Sequence, residues 1–266
     1  CLSSAASDVY KRQFLDSATV RENVVSLARN IGYVPRSRTA AQATISFDIL
    51  NTTSINIDTA PSTVTLKAGL VCISSDDSTT FTFSIPEDIT TTVKLGSLST
   101  DLGGVTNVQG FTASFNNIKV FQGTFLKKSF TVDGSLDQRF ILDNPFIDTS
   151  TIVVRVRGSS EKGKGTLFTK VDNILNVDST SSTFLIQEVQ DEKYELLFGD
   201  GIFGRKLENE SIIEVSYIVT DGKEGNGASE FTFTGNIENI NGSSIELFTT
   251  PKINVTSGAS NGGDIE

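Results

Sequence analysis

Hydrophobic and polar residues follow two different periods along this chain. Near the start, apolar side chains recur every three or four positions, so that Val20, Val24, Leu27, Ala28 and Ile31 fall on one face of a helix. Thr19 and Glu22 have capping-box spacing, in which hydroxyl and carboxylate each bond an otherwise orphaned backbone N–H; Gly32 and Pro35 end the pattern. From Ala43 onward the period is two. TISFDIL places Ile45, Phe47 and Ile49 on one side with polar residues between them, which predicts a half-buried strand. Similar runs recur at INID, TVTL, TFTFSI, IKVF, SFTVD, RFIL, TIVVRVRG, TFLIQEV, YELLF, IIEVSYIVT and EFTFTG, many of them separated by DG, NG or GG turn signals.

This patterning predicts a mainly β chain with an N-terminal helical segment and antiparallel, β-sandwich-like sheets in two lobes, because no further helical pattern alternates with the strands. Four regions are expected: a helical segment over 1–42, a first β lobe over 43–105, a second over 106–250 and a flexible tail over 251–266. SLSTDLGGVTNVQG (97–110) is expected to join the lobes, and the small residues of SGASNGGDIE to form the flexible end.

Composition narrows the function classes. A chain of 266 residues with 37% hydrophobic content and 18 Phe suits a globular protein. A net charge of −10 opposes binding to a phosphate backbone, and no apolar run approaches the roughly 20 residues of a membrane helix. Neither nucleic acid nor membrane is therefore an expected partner. The chain has no Met, which predicts a fragment or a processed product, and Cys1 fits either the lipid-bearing end of a mature lipoprotein or the start of a fragment. Cys72, in the strand-like LVCIS, is expected to be a small buried apolar residue.

Candidate chemistry fails on context. GDGIFG (199–204) has the glycine spacing of a dinucleotide loop, but a nucleotide needs a following helix whose N–H groups hold the pyrophosphate. Here RKLENES and a β-alternating run follow, so Gly199, Gly201 and Gly204 are expected to turn the chain between YELLF and IIEVSYIVT. GASNG (258–262) has the spacing of a hydrolase elbow around Ser260, without any His to accept the proton. Zinc would lack imidazole and has two distant thiols; SSDDS (74–78) and DGKEGNG (221–227) lack the ordered spacing of a calcium loop. No catalytic, cofactor or metal residue is assigned, and no small-molecule substrate is expected.

Two blocks carry a family resemblance: FLDSATVRENVVSLARNIGYVPRSRTAAQATISF (14–47) and YELLFGDGIFGRKLENESIIEVSYIVTDGKEGNGA (194–228). With TVTLKAGLVCIS and the run from KVFQGTF to TIVVRV, they resemble the baseplate wedge proteins of T-even-like contractile-tailed bacteriophages, within the baseplate J-like family. The resemblance implies a virion structural protein of the tail baseplate, made in the host cytoplasm and not an enzyme. It further implies a homodimer that joins other wedge proteins around the tail hub, with a C-terminal region beyond residue 266. In this light Gly199, Gly201, Gly204, Gly225 and Gly227 are turn-forming. The helix face of Val20, Val24, Leu27 and Ile31 is a candidate interface, expected to pack against either the chain's own sheet or a neighbour. Two rival readings are a surface lipoprotein with adhesive β domains, from Cys1, and a carbohydrate-active enzyme, from the 32 acidic residues.

Overall fold

The computed structural model describes residues 37–265, apart from 77–78, 136, 173–176, 190–191, 240–241, 246 and 248. Among the described residues, seventeen strands form two sheets. The first holds β1 (Gln42–Asn56), β2 (Thr63–Leu66), β3 (Gly69–Asp76), β4 (Thr79–Ile85), β5 (Ile89–Leu95), β6 (Leu98–Thr100) and β7 (Thr106–Gln122). The chain then builds the second from β8 (Thr124–Thr131), β9 (Phe140–Leu142), β10 (Ile147–Arg157), β11 (Thr166–Lys170), β12 (Thr183–Val189), β13 (Lys193–Phe198) and β14 (Ile212–Val219). It returns to the first with β15 (Thr232–Phe233), β16 (Ile237–Asn239) and β17 (Asn254–Ser260).

The first sheet is organised on β1 and β7, which pair antiparallel over most of their lengths. Alternation along β1 buries Ala43, Ile45, Phe47 and Ile49, as period-two patterning requires. Phe47 stacks on Phe115 at 5.1 Å and meets Phe233 at 4.8 Å, so the late strand β15 is anchored to the earliest one through aromatic contact. One side of β7 is shared by β4, β5 and β6 in succession.

The second sheet runs β8-β14-β10-β11-β12-β13-β9 and curls until its two end strands meet. Phe130 of β8 contacts Phe140 of β9 edge to face at 5.6 Å, and both pack with the same core cluster. Lys128 Nζ of β8 donates to the Ile141 carbonyl at 2.8 Å and pairs with Asp143, while Gln138 Nε2 donates to the Thr131 carbonyl at 2.7 Å. Side chains thus cover a seam that backbone ladder bonds leave open, and two sheet edges are hidden.

Several expectations are corrected. The fold class is almost all β: among the described residues no helix reaches seven residues, and helical backbone is limited to short turns such as Ile57–Thr59 and Gly222–Gly225. Val20, Val24, Leu27 and Ile31, on which the helical segment rested, lie outside the described residues. The sheets are not wholly antiparallel, because β11 and β12 run parallel across the connection at 171–182, and the second sheet is barrel-like rather than half of a sandwich. β7 belongs with the first sheet, so the change of sheet falls at Gly123 and not at residue 106. Within 251–266, expected as a flexible tail, β17 pairs with β1 and Gly263 exchanges hydrogen bonds with Thr39.

Gly123 makes the change of sheet possible. Its φ is +134°, and a Cβ there would lie 2.2 Å from the Val219 carbonyl oxygen. Only a residue without a side chain fits where β7 and β14 converge.

Candidate interaction surfaces

The glycine loop at 199–204 is held by its own carboxylate. Asp200 Oδ1 accepts from Ile202 N at 2.8 Å and Phe203 N at 2.9 Å, and Gly201 N donates to Gly204 O at 3.0 Å. Gly204 N is taken by the Asp178 carbonyl and Arg205 N by that of Ser181. The amides that a phosphate would need are occupied, and the group nearest them is negative. Those bonds from Phe203 N and Ile202 N hold the Asp200 carboxyl below the usual carboxylate range. Gly201 and Gly204 take φ of +93° and +89°, open to glycine at little cost. What the loop presents is apolar: Ile202 is 69% exposed and Phe203 51%.

This loop does not join neighbours. β13 and β14 are separated in the sheet by β12, β11 and β10, so residues 199–211 cross the end of the barrel instead of closing a hairpin. Gly225 ends a short 3-10 turn and is buried against Gln122 and Ala41, while Gly227 N donates to the Ala259 carbonyl at 2.8 Å under β17. These two glycines carry the chain from β14 back to the first sheet.

A second apolar projection sits where a junction was expected. Residues 97–110 form the hairpin between β6 and β7, in which Asp101 Oδ1 accepts from Gly103 N and Val105 N, both at 2.9 Å. Leu98 is 62% exposed, Leu102 is fully exposed, and Leu95 and Val105 stand beside them. The two loops share one device: an aspartate bonds the amides that follow it and fixes a short loop that holds apolar side chains in water. The sequence signal was an Asp followed within a few residues by Gly, between strand-like runs. Leucines in water are costly to a lone chain and useful to one that docks.

The two sheets meet through polar groups. Gln122 is buried; its Oε1 accepts from Thr220 Oγ1 at 2.7 Å and from Asp221 N at 3.1 Å, and its Nε2 donates to Asp221 Oδ2 at 2.8 Å. Asp148 Oδ2 accepts from Ala40 N at 2.8 Å. Away from Gln122, Arg155 of β10 pairs with Glu87 at 2.7 Å, Ser216 Oγ of β14 donates to the Pro86 carbonyl, and Asp88 bonds Ala68 N, Lys67 and Lys164. Burial alone would raise the Asp88 carboxyl, but the bonds from Ala68 N, Lys164 and Lys67 together outweigh it and hold the group far below the carboxylate range.

Among the described residues, no group of three or more acidic or Cys side chains is placed to hold a metal ion, and no helix is long and apolar enough to cross a membrane. Ser260, the centre of the elbow-like pentapeptide, ends β17 opposite Gln42. Cys72 is a free, buried thiol, which burial pushes up to about 12, where it is a poor nucleophile.

No protein-family model matches the chain. The chain is similar to a phage baseplate protein, at a distant level. That relative is the baseplate wedge protein gp6 of Enterobacteria phage T4, 25% identical over 243 residues, which is 85% of this chain and 33% of that protein. The chain thus spans about a third of the length of the curated relative it matches.

Proposed function

We propose that this protein is a structural subunit of a phage tail baseplate that joins neighbouring wedge proteins, and a second copy of itself, through its projecting surfaces. The observation that carries this reading is the similarity to a baseplate wedge protein along 85% of the chain. It is supported by apolar side chains held out in water at two separate loops, an arrangement suited to docking. The work in this reading is mechanical, without catalytic residues, cofactor or small-molecule substrate, and its place is the virion.

Immunogold labelling of assembled phage tails tests it. Label at the baseplate end, with this protein recovered in a complex with other baseplate proteins, is the expected result. Label confined to a host envelope, with a diacylglycerol on Cys1, would contradict it and support the lipoprotein.

A further inference from the structure

The contacts between the two sheets are of two kinds. Around Gln122 they are buried, and at Gly123 the backbone lies so close to Val219 that an added Cβ would meet its carbonyl oxygen at 2.2 Å. Three to four residues farther along β8, on the order of 10 Å at about 3.3 Å per residue, they are ion pairs and one hydrogen bond, from Ser216 Oγ to the Pro86 carbonyl, beside a cavity. That cavity, of about 300 Å³, is bounded by Glu87 and Asp88 from the first sheet and by Lys128, Arg155 and Lys164 from the second.

Lys164 reaches Asp88 at 2.8 Å from the β10–β11 hairpin, where Gly163 and Gly165 flank it with φ of +116° and +69°. Its side chain is 65% exposed, whereas that of Asp88 is only 12% exposed. An ion pair with one hydrated member is weak and is screened by salt. Asp88 also does not depend on it: Lys67 at 3.0 Å and Ala68 N at 2.9 Å lie in its own sheet and stay when Lys164 leaves. Departure therefore strands no buried charge, and Glu87 and Arg155 both have water within reach. Polar surfaces of this sort between units favour relative motion.

We propose that the β10–β11 hairpin is a releasable strap, in which Lys164 and Arg155 hold the loop of residues 86–88 on the second sheet. Their release opens the cavity while the joint at Gln122 and Gly123 stays closed. The angle between the sheets is then set by ionic strength and by any partner that competes for these charges. The inference does not depend on the baseplate reading.

Pulsed spin-label distances in the full chain test it, with labels at T92C and T166C and Cys1 replaced by Ser. At low salt one narrow distance is expected. A second, longer distance should grow as salt rises toward about 0.5 M, where the Debye length has fallen to about 4 Å and attraction between hydrated charges is strongly screened. The same longer distance should appear at low salt in K164Q and more strongly in K164Q with R155Q. Exchange of the Asp221 amide hydrogen should stay slow throughout. A single unchanged distance at every salt concentration overturns the strap, as does loss of Asp221 protection in step with the longer distance. The salt titration needs neither substitution, so misfolding of a variant leaves the test intact.

Discussion

The two sheets of this protein solve the same problem in different ways. The first gathers its strands around two long central ones and buries a stacked aromatic cluster of Phe47, Phe115 and Phe233. The second curls round and covers its open seam with Phe130, Phe140 and Lys128. In the first, order depends on a core that water cannot reach; in the second, it depends partly on side chains at a seam. What the contrast teaches is where apolar area escapes both cores: among the described residues the three most exposed large apolar side chains, Leu102, Ile202 and Leu98, lie at or beside loop tips.

The contrast can be broken from the core outward. Phe47→Ala removes a ring with no solvent access and should cost about 3–5 kcal/mol in chemical denaturation. Phe140→Ala, at the seam, should cost less, about 3 kcal/mol at most, because the seam can relax and admit water. Equal losses would mean that the seam is packed as rigidly as the aromatic cluster.

Alkali should act on the first core. Cys72 has its folded pKa raised from 9.0 to about 12, so its contribution is complete below pH 9 and is lost as pH rises toward 12. The slope from this one group is at most about 1.4 kcal/mol per pH unit. C72V should flatten the fall relative to the wild-type chain, as measured by denaturation midpoints from pH 8 to 11; identical curves would assign it to other groups.

A smaller effect belongs to the seam. Lys128→Met keeps the apolar stem and loses the bond to the Ile141 carbonyl, costing about 1 kcal/mol. Hydrogen exchange should quicken in β9 and hardly change in β1.

Smallest of all should be the loop tips. Phe203→Ser and Leu102→Ser remove exposed side chains and should change stability by less than about 0.5 kcal/mol. The same two changes are expected to weaken assembly with other baseplate proteins, read by co-sedimentation.

Much of the fold was legible in alternation. Ile45, Phe47 and Ile49 are buried together because a half-buried strand admits only one face to the core. That no helix opens after GDGIFG also followed from sequence, since the run beyond it was strand-like. Elsewhere the decisive contacts are remote. β17, in NVTSGAS, has almost no alternation and becomes a strand because β1 offers it a partner more than 200 residues earlier. Of seventeen-residue β7 only IKVF read as a strand, because Asn117, with φ of +53°, interrupts the pattern where β1 shifts register. SLSTDLGGVTNVQG has a linker's composition, and only the pairing of β6 with β7 turns it into a projecting hairpin. Which loop tips matter was invisible, since an exposed Leu102 and a buried Leu142 read alike in sequence.

The central claim is that this molecule acts through apolar loop tips that touch neighbours. A photo-crosslinking residue placed at Phe203, and separately at Leu102, in tails assembled with the full chain tests it most directly. The account predicts covalent adducts to another baseplate subunit from both positions. Illumination that yields no adduct at either tip, while the same probe elsewhere on the surface captures a neighbour, would contradict it.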